Sequence, residues 1–86
     1  MNRDEIFTAI AAERNYQDSV WGTDFDDKNT PNDWVSYFPK YIARACTVEV
    51  TTQDFRSAMI KTAALAVAAL EALERNDGEL IKRHYD

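Results

Sequence analysis

The sequence predicts a single all-α domain, and three observations predict it. Apolar residues recur at helical spacing in three separate stretches, a helix-start signal precedes each stretch, and glycine is confined to Gly22 and Gly78, where helices should stop. The 86 residues form one domain, 1–86, without repeats, linkers or low-complexity tracts. A chain this short buries only about 60% of the surface that its unfolded form exposes, so association with further copies is expected from length alone.

The first helix begins at Asn2, whose side chain caps it while Glu5 returns the bond, and runs to about Trp21, where Gly22 ends it. Its apolar stripe is Ile6, Phe7, Ile10, Val20 and Trp21. The stripe is interrupted by Glu13-Arg14-Asn15-Tyr16-Gln17-Asp18, a polar run with one aromatic in it. Taken alone, Tyr16 is an amphipathic side chain at the core edge with its hydroxyl in water.

The stretch from Gly22 to Asp33 is irregular, polar and dense in reactive groups. It ends in a strong helix start: Thr30 is the N-cap, Pro31 takes the first helical position where its missing N–H costs nothing, and Asp33 stands where a capping-box acid belongs. Backbone amides at that start, with Lys28 just ahead of the cap, make an anion site for a phosphate or carboxylate. The plainer account of the same residues is cap and turn chemistry.

The second helix starts at Pro31 and shows Trp34, Phe38, Tyr41 or Ile42, Ala45 and Val48 on one side. Pro39 removes one backbone bond and crowds the preceding turn, which predicts a kink between Val35 and Pro39. The β-branched alternation from Thr47 to Thr51 has no partner run and is taken as helix end plus extended connector. The third helix opens at Thr51 or Thr52 and runs from about Gln53 to Asn76, with Gly78 as the left-handed stop. Phe55, Met59, Ala63, Ala66, Leu70 and Leu73 follow one face, while Ala64, Ala68, Ala69 and Ala72 let other backbones come close. Alanines on several faces predict packing on more than one side, a second pointer to an oligomer. Glu79 to Asp86 forms a short tail whose Leu80, Ile81 and Tyr85 can dock on a neighbour.

Composition narrows the function. A net charge of −5 argues against DNA and against general nucleic-acid backbone binding, although one cluster of donors can still hold the phosphates of a small ligand. The single cysteine, Cys46, cannot form an internal disulfide and falls on an apolar helix face, which fits a small buried hydrophobe in a reducing cytoplasm. The N-terminus lacks a signal peptide's basic start and apolar run, and the longest apolar stretch, Thr62 to Leu70, is too short to span a bilayer. No membrane partner is expected.

Catalytic chemistry finds little support in the residues. His84 is alone near the chain end and Cys46 is expected to be buried, so no nucleophile–base pair is predicted and no catalytic residue is assigned. Asp24, Asp26 and Asp27 lack the alternation and terminal glutamate of a calcium loop and are taken as a solvated acidic turn, so no metal and no cofactor are expected. Glu71 and Glu74 form an E-x-x-E of the kind that all-helical nucleotide pyrophosphohydrolases use to hold magnesium, but only Glu79 and Asp86 follow as a possible second pair. The remaining constellation is Tyr16, the acidic loop with Lys28, and the capped start of the second helix. An aromatic face stacks on a base, lysine and helix-start amides meet phosphates, and Asp or Asn side chains pair with base edges. Without an activated nucleophile, these groups point to binding and not to turnover.

The pattern Glu13-Arg14-x-x-Gln17, then Trp21-Gly22, then Asp26-Asp27-Lys28-Asn29-Thr30, followed by Lys61-x-Ala63-Ala64-Leu65, resembles small phage-encoded proteins. Within that group it resembles the second type of phage anti-CBASS protein, the cyclic-oligonucleotide sponge, over most of the chain up to about Arg75. The resemblance implies a short first helix plus two longer antiparallel helices, assembled as a hexamer. It further implies a non-enzymatic protein that sequesters, without cleaving, the cyclic di- and trinucleotides made as alarm signals by bacterial cGAS-like enzymes, in the cytoplasm of the infected host. On this resemblance the stacking tyrosine is Tyr16, the phosphate-binding lysine is Lys28 and the threonine of the trinucleotide site is Thr30. Gln17 or Asn15 is the polar neighbour of the tyrosine, and Lys61 or Arg56 supplies the basic residue of the last helix. The competing functions are a magnesium-dependent helical nucleotide hydrolase built on Glu71, Glu74 and the loop aspartates, and an accessory protein that binds another protein through its Ala-rich helix.

Overall fold

Capping chemistry sets the helix boundaries. In the computed structural model, which describes residues 1–45 and 49–81, the helices are α1 (Arg3–Trp21), α2 (Thr23–Asp27), α3 (Pro31–Arg44) and α4 (Thr52–Arg75), with no strand among the described residues. Asn2 with Glu5, Thr30 with Asp33 and Thr51 with Asp54 each form a complete capping box at the starts of α1, α3 and α4. Each box satisfies two amides that the helix itself leaves unpaired, and loss of such a cap typically costs about 1 kcal/mol. Gly22, at φ +81°, ends α1 and donates its N–H to the Asp18 carbonyl. At the end of α4 the left-handed turn is shared by Asp77 and Gly78, whose N–H reaches back to the Leu73 carbonyl.

Two features depart from expectation. The first helix is not short: α1 has 19 residues against 14 in α3 and 24 in α4, because no breaker stands between the Asn2 cap and Gly22. The stretch after Gly22 is not wholly irregular either, since Thr23–Asp27 makes one further turn of helix, α2, before Lys28 closes it. Helix α3 continues through Pro39 to Arg44. The expectations for Cys46, for the Thr47–Val48 part of the connector, and for His84 and Tyr85 in the tail lie outside the described residues.

Helix α4 is the spine, touching α1, α2 and α3. Helix α3 runs antiparallel to it: Trp34 and Phe38 share one cavity with Ala69 and Leu73, while Tyr41 and Arg44 share another with Asp54 and Ala58. The buried apolar residues are Ala58, Ala64, Ala68 and Ala72, all on α4, and no large side chain is fully buried among the described residues. Ala64, Ala68 and Ala72 therefore sit inside the protomer instead of facing a further copy, because small side chains are what lets three helices approach the spine.

The apolar stripe of α1 is correspondingly turned outward. Phe7, Val20 and Trp21 are more than half exposed, Ile6 is exposed too, and the inward positions of α1 belong to Arg14 and Gln17. Among the described residues no helix is long and apolar enough to cross a membrane.

Candidate functional site

Arg14 organises the interior where α1, α2 and α4 meet. Its Nε donates to Glu71 Oε1 at 2.6 Å and its Nη2 to Asp26 Oδ2 at 3.1 Å, with Asp18 Oδ1 at 3.6 Å from the same nitrogen. The side chains of Arg14 and Asp26 are each only 9% exposed, whereas that of Glu71 is half exposed. Burial pushes the Asp26 carboxyl above its ordinary range; the positive charges of Arg14 and Arg75 oppose that rise, and the negative charges of Asp18 and Asp27 add to it. A second bridge, Arg75 to Asp27 at 2.8 Å, ties the end of α4 to α2 at the surface.

Beside this network lies an aromatic cavity of about 100 Å³, walled by Trp21, Phe25, Trp34, Tyr37 and Tyr41. Trp21 and Phe25 are tilted against one another with ring centres 5.2 Å apart, and Trp34 meets Tyr37 edge to face at 6.0 Å. The Tyr37 hydroxyl donates to Asn29 Oδ1 at 2.9 Å. Burial, and then the charges of Asp33 and Asp26, raise the Tyr37 phenol above its ordinary value, which keeps it a donor at neutral pH. Arg14 and Gln17 adjoin the same cavity, and both keep a buried polar atom without a partner: Arg14 Nη1, a donor, and Gln17 Oε1, an acceptor.

The residues singled out in the sequence fall into two sets. Asn15, Tyr16, Lys28 and Arg56 are exposed, on α1, after α2 and on α4. Tyr16 is 64% exposed, so its ring has an open face, while its carbonyl accepts from Ser19. Arg56 donates to Gln53 one turn away. Among the described residues no hydrogen bond or ion pair joins Tyr16, Lys28 and Arg56 to one another within the protomer. Gln17, Lys61 and Thr30 form the inner set. Gln17 Nε2 donates to the Lys61 carbonyl at 3.4 Å, which brings two of the singled-out residues together across α1 and α4.

Thr30 is buried, and its hydroxyl accepts from the Asp33 N–H while its own N–H donates to Asp33 Oδ2. The start of α3 thus carries its own carboxylate where an anionic ligand would sit, so the cap account of this stretch describes it better than a ready anion site. Three acids of the magnesium reading are engaged, Glu71 and Asp26 with Arg14 and Asp27 with Arg75. Among the described residues no group of three or more His, Cys, Asp or Glu is arranged to hold a metal ion.

Sequence reasoning missed Arg14 and the aromatic walls. The available signal was the Arg14–Gln17 spacing, two polar residues one helical turn apart, in line with Trp21. A search of protein families, of curated proteins and of solved structures finds no match to this chain.

Proposed function

We propose that the protein is a phage-encoded sponge that binds cyclic di- and trinucleotides as a homo-oligomer, holds them intact, and so blunts a CBASS-type alarm in the cytoplasm of the infected host. The observation that carries this reading is the outward presentation of Tyr16, a largely exposed ring on a chain that also exposes Phe7, Val20, Trp21, Val35 and Leu70. Such a surface is completed by further copies and by a ligand with flat faces. Tyr16 stacks on a base, Asn15 pairs beside it, and the exposed Lys28 meets a phosphate, with Thr30 fixing the turn that presents Lys28. Arg56 or Lys61 of α4 supplies a second positive charge. The assembly matching the resemblance is a hexamer.

Titration calorimetry with a cyclic dinucleotide tests the assignment. Tyr16→Ala should weaken binding by about 1–3 kcal/mol per stacked base and Tyr16→Phe should retain most of it. Lys28→Ala should cost about 1.5–3 kcal/mol, and Lys28→Arg less. Ligand recovered after heating the complex should be the starting compound. Undiminished affinity in both alanine variants, folded and assembled, would remove the site; a magnesium-dependent linear product would replace the sponge by a hydrolase.

A further inference from the structure

The aromatic cavity at Arg14 and Gln17 is a second and separate feature, since Tyr16 does not line it. We infer that it is a binding pocket for a pyrimidine nucleotide, with the base between the aromatic walls and the phosphate at the rim beside Lys40. The inference does not rest on the sponge reading, because the pocket lies within one protomer.

Size, polarity and charge lead to that class. An apolar cavity of about 150 Å³ takes up a benzene ring. At about 100 Å³, with Trp21 and Phe25 of its lining also exposed to solvent, this pocket suits one ring and not two. Its walls are aromatic, so the guest is flat. Arg14 uses Nε on Glu71 and Nη2 on Asp26, which leaves Nη1 as a buried donor; Gln17 uses Nε2 on Lys61, which leaves Oε1 as a buried acceptor. The two residues are one turn apart on α1, on the side of the cavity, and each unsatisfied atom costs about 1–3 kcal/mol. A uracil ring carries a carbonyl acceptor beside its N3–H donor on one edge, which is the complement of that pair.

Arg14 is already paired with Glu71, Asp26 and Asp18, so the cation of the lining left for an anionic group on the guest is Lys40. Lys40 is exposed and adjoins the cavity, where a phosphate attached to the bound ring would meet it.

The test is NMR titration of the unaltered protein with uridine 5′-monophosphate, followed at the Gln17 side-chain amide and the indole N–H groups of Trp21 and Trp34. Saturable shifts at all three are expected at millimolar ligand. The N3-methylated nucleotide should bind about tenfold more weakly, the equivalent of one lost hydrogen bond, and adenosine 5′-monophosphate should be similarly disfavoured. Uridine without its phosphate should bind less tightly than the nucleotide, and Lys40→Ala should erase that difference. Gln17→Met should erase the preference over the N3-methyl form, and Phe7→Ala, outside the cavity, should leave nucleotide binding unchanged. Absent or unsaturable shifts, equal binding of the N3-methyl form to the unaltered protein, or loss of binding in a folded Phe7→Ala variant would each overturn the proposal.

Discussion

The helix junction and the outer faces of this chain have exchanged their usual chemistry. Where α1, α2 and the start of α3 converge, the buried residues are Arg14, Gln17, Asp26, Asn29 and Thr30, all polar. On the outer faces stand Phe7, Trp21, Val35 and Leu70, each more than half exposed. The difference teaches how so small a chain is held together. Hydrogen bonds and one buried ion pair fix the geometry of the helix junction, four alanines let the helices approach, and the large apolar groups remain outside for other surfaces. Isolated, such a protomer has little apolar burial to offset the entropy of folding, which is the physical reason for expecting it to associate.

Breaking the polar interior should have the largest effect. Arg14→Ala leaves Asp26 buried without its cation and should destabilise the protein by about 3–5 kcal/mol in urea unfolding, as for other broken buried pairs. Replacing both members together, Arg14→Met with Asp26→Leu, should recover much of that loss. A cost for Arg14→Ala below about 1 kcal/mol, the range of exposed pairs, would mean that the junction is not held by this network.

The two faces of α4 sharpen the contrast at intermediate size. Ala64 is fully enclosed in the protomer, so Ala64→Leu should overpack it and cost about 1–3 kcal/mol of stability at any protein concentration. Leu70 is 60% exposed, so Leu70→Ser should leave that stability nearly unchanged and instead weaken assembly, seen as a smaller species in sedimentation velocity. Equal behaviour of the two variants would erase the distinction between an inner alanine face and an outer apolar one.

The smallest effect is the pH dependence of Asp26. Its carboxyl binds a proton more readily in the folded chain than at the ordinary value of 3.8, so between that value and the raised one the folded state holds more protons than the unfolded state. Stability from this group therefore rises as pH falls through that window and is lost as pH climbs above it. Thermal melts of the unaltered protein and of Asp26→Asn should show the difference between them shifting in favour of the unaltered protein as the pH falls from neutral towards 4. A shift in the opposite direction would mean that the Arg14 charge outweighs burial at Asp26.

The sequence was explicit wherever the physics is local. Asn2 and Glu5, Thr30 and Asp33, and Thr51 with its downstream acid mark helix starts because both partners of each box lie within one turn. Gly22 marks a stop because its backbone angle is one that side chains resist. The extra turn at α2 was hidden, since Thr23-Asp24-Phe25-Asp26-Asp27 has a loop's composition and is held by Arg14 from α1. The inward face of α1 was hidden for a similar reason. Hydropathy assigns the core to Ile6, Phe7 and Trp21, and only the carboxylates brought by α2 and α4 make it favourable to turn Arg14 inward instead. Thr30 shows the converse: its position was legible, and the structure gives its hydroxyl to the helix cap.

We propose that the exposed apolar surface closes on further copies and on a cyclic oligonucleotide. Native mass spectrometry with and without a cyclic dinucleotide tests it most directly. The expected result is a homo-oligomer whose mass rises by whole ligands that are released unaltered on denaturation. A monomer in both spectra, with no ligand retained, would contradict it.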